Sequence, residues 1–171
     1  MSSLILQSLY FFLPAYFANM APVLLRKIPI LGEPVSIKYF GGHKTWRGLV
    51  VAPIVSTLVF YLQQTAFKYG YTSLALIEYS SFPLYLGTML GAGAILGDLV
   101  KSYYKRKDGI APGSPWIPFD QIDFVIGGII GSAFFFVPPA QVVLVLLIIS
   151  PLLHMIVNWI GYLLGINQKK F

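Results

Sequence analysis

The chain has 171 residues, of which 57% are hydrophobic and only 11% charged, and its mean hydropathy is +0.75, so it carries more apolar surface than a soluble domain of this size can bury. The surplus must face lipid. The formal charge of +6 suits anionic head groups and anionic substrates at one membrane face rather than nucleic acid, and the absence of cysteine excludes a disulfide framework or a thiolate metal site.

Crossing a hydrocarbon core of about 30 Å takes a helix of about 20 apolar residues. In chain order, runs free of charge predict helices over 2–25, 48–67, 80–96 and 140–165, with a shorter one over 124–137. The first has no basic residue ahead of its apolar run and carries Arg26-Lys27 behind it, which is the reverse of a cleaved signal peptide. Five crossings put the termini on opposite sides. Arg26, Lys27, Lys38, Lys44 and Arg47 follow the first helix, Lys101, Lys105, Arg106 and Lys107 follow the third, and Lys169 and Lys170 end the chain. With these regions inside, Lys68 alone of the 12 basic residues lies outside, which satisfies the positive-inside rule. The expectation is an all-α integral membrane protein of five transmembrane helices, forming a single domain over 1–171. Its N-terminus lies outside, its C-terminus is cytoplasmic, and its polar pocket opens to the cytoplasm.

Packing signals accompany these spans. Gly87 and Gly91, Gly93 and Gly97, and Gly127 and Gly131 are each four residues apart, a spacing that lets helix backbones approach closely within one subunit or between two copies in a homodimer. Pro138-Pro139 leaves almost no loop between the fourth and fifth helices and predicts a tight antiparallel pair. His154 and Asn158, one turn apart, read as interhelical hydrogen-bonding groups.

The chemistry concentrates at one end. Asp98, Lys101, Ser102 and Lys105 recur at i, i+3, i+4 and i+7 and share a helical face. Asp120 and Asp123 share a face at the start of the fourth helix, whose apolar run of 14 residues reaches only about 21 Å, so its start is drawn into the membrane or sheltered by protein. Polar groups at that depth need a protein-lined or water-filled cavity, and an ionisable residue there marks function. Three carboxylates beside lysines, without Cys or His, suit a hard cation such as magnesium held between carboxylates and substrate phosphates. Phosphoryl and nucleotidyl transfer ask for little more than such a cation, Lys or Arg to offset developing charge, and alignment. The Gly41-Gly-His-Lys-Thr-Trp-Arg-Gly48 loop offers glycines and two cations to a phosphate, without the spacing of a P-loop.

Gly97-Asp-Leu-Val-Lys-Ser-Tyr-Tyr-Lys-Arg-Lys-Asp108, then Pro112-Gly113, then Asp120-Gln-Ile-Asp123 resembles the signature of the CDP-diglyceride synthase (phosphatidate cytidylyltransferase) family. The short chain, the five helices and the Gly-rich loop are most similar to its archaeal branch, the CDP-archaeol synthases, over essentially the whole length. The chain departs from the general signature in lacking the spacer between Lys105-Arg106 and Lys107-Asp108, and in carrying Gln121 where an Arg usually stands. The resemblance implies that CTP and a prenylated glyceryl phosphate lipid, 2,3-bis-O-geranylgeranylglyceryl phosphate, react in the cell membrane to give a CDP-activated lipid and pyrophosphate. It implies Asp98, Lys101, Asp120 and Asp123 as catalytic residues, with Asp98, Asp120 and Asp123 as magnesium ligands. Gly42, His43, Lys44, Thr45, Arg47, Ser102, Lys105, Arg106 and Asp108 are the implied substrate-binding set. A CTP-dependent polyprenol kinase is the enzymatic alternative. A small transporter is the non-enzymatic one, although its charges would spread through the membrane depth rather than crowd one face.

Overall fold

The computed structural model describes residues 2–111 and 114–163, without the side chains of Ser2 and Asn158. Pro112-Gly113, Gly165 and Lys169-Lys170 lie outside the described residues, as does the side chain of Asn158. The elements are α1 (Ser2–Leu24), α2 (Ile37–Phe40), α3 (Trp46–Lys68), a 3-10 turn (Tyr79–Ser81), α4 (Tyr85–Lys107), α5 (Phe119–Ser132) and α6 (Ala140–Leu163), with no named strand among the described residues. Three of them, α1, α3 and α6, are long and apolar enough to cross a membrane. Leu58 and Leu62 of α3 and Ile148 and Leu152 of α6 are exposed, as lipid-facing side chains should be.

Inside the bundle, Tyr79 is fully buried and its ring meets those of Tyr10, Phe60 and Phe67 at centroid distances of 5.7 to 6.1 Å. Gln64 donates to the carbonyls of Tyr79 and Phe82, so the irregular backbone between α3 and α4 finds an internal partner, as backbone in an apolar setting must. Because lipid is as apolar as a leucine core, close packing rather than water exclusion joins the helices. Gly87 and Gly91 of α4 lie against Phe60 and Ser56 of α3, where Ser56 Oγ donates to the Gly87 carbonyl at 2.6 Å.

The closest pairing is α4 with α5. A Cβ added at Gly93 would strike the carbonyl of Gly127, one at Gly97 that of Asp123, and one at Gly131 that of Met89. The glycine pairs therefore pack within one chain. By contrast, the nearly loop-free connection expected between α5 and α6 is not found, since α5 ends at Ser132 and residues 133–139 intervene before α6, although the two helices do pack against each other. Ser132 Oγ turns back to the Ile129 carbonyl at 2.8 Å and its own carbonyl accepts the amides of Phe135 and Phe136. This closes the helix before the prolines are reached. α4 also begins at Tyr85 rather than Ser80, because the chain turns through the 3-10 segment and Pro83 before a helix can start.

Candidate active site

The site is assembled by two local devices. The first is the Gly97–Asp123 contact, which seats Asp98 of α4 beside Asp123 of α5. The second is the loop between α1 and α3. Residues 31–35 run back along 44–47, with Val35 N donating to Lys44 O at 2.8 Å, Trp46 N to Glu33 O at 3.1 Å and Arg47 N to Leu31 O at 2.7 Å. Thr45 caps α3, its Oγ1 accepting from Gly48 N at 3.4 Å. Lys44 is thereby fixed one residue ahead of the cap and pairs with Asp98 Oδ2.

Lys101, one helical turn after Asp98, holds the centre. Its Nζ lies 3.0 Å from Asp98 Oδ1, 2.9 Å from Asp120 Oδ1 and 2.9 Å from Asp123 Oδ2. Lys105 Nζ spans both oxygens of Asp120 at 3.0 and 2.9 Å and the Ser114 carbonyl at 2.6 Å. Asp120 Oδ2 also accepts the Trp116 amide at 2.6 Å, which ties the α4–α5 connection to the site. Three lysines and three aspartates thus form one nearly buried network without excess charge. Asn19, Lys44, Asp98, Lys101, Asp123 and His154 are among the residues lining its recess of about 300 Å³. A second, apolar groove of about 610 Å³ runs along the glycine seam of α4 and α5 and meets the recess at Lys101 and Asp123.

Of the residues singled out in the sequence, Lys44, Asp98, Lys101, Lys105, Asp120 and Asp123 come together here. Ser102 does not face the recess; its hydroxyl donates to the Asp98 carbonyl at 2.8 Å. Arg47 is turned to the Ile28 carbonyl and secures the 28–32 segment. His43 and Thr45 line only a small crevice of about 20 Å³ that also touches Lys44, and Gly42 has open space around it. Arg106 belongs to a different recess, with Lys38, Tyr39, Tyr103 and Lys107, and Asp108 is the exposed C-cap of α4. Sequence reasoning missed Asn19, and it took His154 as structural and Gln121 as a departure from a signature; all three line the polar recess. Their signal was a polar side chain in an otherwise apolar helical face.

The donor set is oxygen-rich, and three carboxylates converge on one cationic point, which fits a hard divalent ion. Among the described residues no group of three or more His, Cys, Asp or Glu side chains is arranged to hold a metal, since the Lys101 ammonium stands at the point of convergence.

A helical membrane protein in which a balanced cluster of lysines and aspartates meets an apolar groove has the side chains to hold a phosphate-bearing group beside lipid. A family model described as CarS-like CDP-archaeol synthase matches residues 1–171. The chain is 36% identical over 166 residues to a CDP-archaeol synthase of Pyrococcus furiosus, covering 92% of this chain and 93% of that one. It is 34% identical over 180 residues to one of Methanocorpusculum labreanum, covering 91% and 98%. A solved structure described as an intramembrane enzyme for archaeal membrane lipids biosynthesis superposes with a TM-score of 0.70 at 27% identity, over 90% of this chain and 94% of that one. The chain belongs to the CDP-archaeol synthase family.

Proposed function

We propose that the whole chain is one catalytic domain that transfers the cytidylyl group of CTP to 2,3-bis-O-geranylgeranylglyceryl phosphate, releasing pyrophosphate and giving CDP-archaeol. One observation carries this reading: a recess in which Lys44, Lys101 and Lys105 meet three aspartates shares the lining residues Lys101 and Asp123 with an apolar groove. The charged recess suits the triphosphate, the groove suits prenyl chains, and their junction suits the lipid phosphate.

A lipid phosphate oxygen attacks the α-phosphorus of CTP in line. A new P–O bond forms as the bond from the α-phosphorus to the bridging oxygen breaks, and that electron pair leaves with pyrophosphate. The attacking phosphate is already ionised at neutral pH, so no general base is needed. Lys101 and Lys105 neutralise charge at the reacting and leaving oxygens, and Lys44 holds the distal phosphates. Asp98, Asp120 and Asp123 would hold magnesium, which when bound offsets charge on the triphosphate oxygens.

In the membrane, α1, α3, α4, α5 and α6 make five crossings with the N-terminus outside and the recess open to the cytoplasm. The distribution of basic residues favours that orientation. At 14 residues, α5 covers about 21 Å, and the following segment completes its passage.

The test is turnover by the purified protein with magnesium and CTP labelled separately at the α- and γ-phosphates, offered the prenylated glyceryl phosphate and, in parallel, a polyprenol. The expected result is α-label in the glyceryl lipid with release of pyrophosphate. Entry of γ-label into the polyprenol would replace this reading with that of a kinase.

A further inference from the structure

Outside the active site, Lys38, Arg106 and Lys107 line a recess of about 190 Å³ together with Tyr39 and Tyr103. Lys38 and Tyr39 come from α2 and the other three from the last turns of α4. The two elements pack against each other, with the Tyr39 and Tyr103 rings at a centroid distance of 6.2 Å, so rings join the walls while their charges repel. Among the described residues none of the three cations has an ion-pair partner, unlike the three lysines of the active site. Asp108, next to Lys107, is exposed and pairs with none of them. Lys38 Nζ lies 5.3 Å from the centre of the Tyr39 ring instead. Arg106 is half-buried, and its Nε is shielded from solvent without a hydrogen-bond partner among the described residues.

The dipole of α4 accounts for Arg106 and Lys107 in its last turn. It does not account for Lys38, which arrives on another element and faces them across the recess. Cations gathered in this way are relieved by an anion, and Arg and Lys beside tyrosine hydroxyls are the donors that take a phosphate. The recess shares no lining residue with the polar recess of the active site or with its apolar groove. At about 100° per residue, Tyr103 and Lys107 lie about 140° and 180° around α4 from Asp98, so an anion held here is across the helix from the reacting point. The surroundings also select the kind of anion. Ile37, beside Lys38 in α2, is 70% exposed, and Tyr39 and Tyr103 are exposed as well. Such a flank suits the boundary between hydrocarbon and head groups, where tyrosines gather. A soluble anion gains nothing from it, whereas a lipid uses both the charges and the apolar flank.

We propose that this recess is an accessory site for an anionic lipid that is not the substrate, its head-group phosphate lying among Lys38, Arg106 and Lys107 and its chains against Ile37 in the membrane. The inference rests on the five-crossing arrangement proposed above, which puts the charged end of α4 at the cytoplasmic head groups, and it is independent of the transfer reaction. Because the recess joins α2 to α4, occupancy stabilises the folded chain, as any ligand of the native state does.

The experiment uses the full chain in neutral detergent, with phosphatidylglycerol as the anionic probe and phosphatidylcholine, which carries the same phosphate but no net charge, as its control. Lipid retained on the protein is counted by native mass spectrometry, and the thermal unfolding midpoint is followed in parallel. Wild type should retain phosphatidylglycerol in preference by about tenfold, the contribution of one hydrogen bond to a charged group, and only this lipid should raise the midpoint. Arg106→Gln should abolish the preference, and so should Lys38→Gln on the opposite wall, while Arg106→Lys keeps the charge and most of the preference. Arg26→Gln removes an exposed cation on the same membrane face but outside the recess and should change nothing. Wild-type preference in both the Arg106→Gln and Lys38→Gln variants overturns the site. An equal loss in Arg26→Gln replaces it with a diffuse basic surface, and displacement of the lipid by an equal concentration of inorganic phosphate makes the occupant a soluble anion; either result overturns the inference. The membrane arrangement is checked separately, since the chain has no cysteine: a Lys107→Cys variant in sealed vesicles should react with an impermeant thiol reagent from the cytoplasmic face. Reaction from the outer face alone overturns that arrangement, whatever the lipid preference.

Discussion

Lys101→Met removes the one ammonium that lies within 3.0 Å of all three carboxylates and keeps a side chain of similar length. Lys44 and Lys105 then face Asp98, Asp120 and Asp123 with one negative charge left over, in a site where the Lys101 and Asp98 side chains are each 14% exposed. Removing one partner from a buried ionic network costs about 3–5 kcal/mol, so the variant should unfold at a distinctly lower denaturant midpoint than wild type in chelator. Magnesium should then recover much of that loss, about 2.7 kcal/mol at a hundredfold excess over its dissociation constant, because the ion binds where the ammonium stood. Wild type, already neutralised, should respond far less. Turnover should fall by about 10²- to 10³-fold with or without magnesium, since a donor to the developing phosphate charge is missing. Equal midpoints of variant and wild type would refute the central role of the ammonium. Equal responses of the two to magnesium would refute these carboxylates as its ligands.

Asp98→Asn keeps the shape of the side chain but withdraws its charge from Lys44 and Lys101, and should abolish turnover with the protein still folded and inserted, as read by gel filtration in detergent; undiminished activity would remove Asp98 from the metal set. Gly97→Ala drives a methyl into the Asp123 carbonyl, and overpacking of this kind costs about 1–3 kcal/mol. It should lower both the unfolding midpoint and kcat, because separating α4 from α5 also separates Asp98 from Asp123. Ala92→Phe fills the apolar groove at a position remote from the lysines and should raise KM for the lipid while leaving KM for CTP unchanged. Arg106→Gln, in the recess outside the site, should change kcat/KM by less than about twofold, in keeping with surface substitutions that cost under about 0.5 kcal/mol.

How much of this could be read from the sequence depends on what each residue reports. Charge-free runs locate α1, α3 and the start of α6 within about two residues because lipid demands them. They fail for α4, which continues to Lys107 through charged residues. A helix emerging from apolar surroundings has no reason to stop there, and its last-turn Lys105, Arg106 and Lys107 suit the negative end of its dipole. They also miss the start of α5 at Phe119, where Asp120 in the first turn is favoured for the converse reason. Within the site, helical spacing was a partial guide: at about 100° per residue, Lys101 and Lys105 stay within about 60° of Asp98 and reach the recess, while Ser102, only about 40° away, bonds the Asp98 carbonyl instead, and Arg106, about 80° away, falls in another recess. Asn19, Gln121 and His154 were illegible as a group because they come from three helices, and a neutral polar residue in an apolar helix looks alike whether it bonds a neighbouring helix or a ligand.

The charge balance of the site explains how so polar a cluster is tolerated next to lipid. Three ammonium groups and three carboxylates, each within ion-pair reach of another, neutralise one another before any substrate arrives, so the empty network carries little of the cost of an isolated buried charge. A triphosphate disturbs that balance by claiming the lysines, and every lysine it claims leaves a carboxylate without its partner. A divalent cation held by Asp98, Asp120 and Asp123 would restore neutrality. Under the proposed function, nucleotide and metal would relieve the same electrostatic deficit from opposite sides, and each would strengthen the binding of the other by the same factor, as linkage requires. Under that function, the arrangement that balances charge in the resting protein would also couple a metal to the nucleotide.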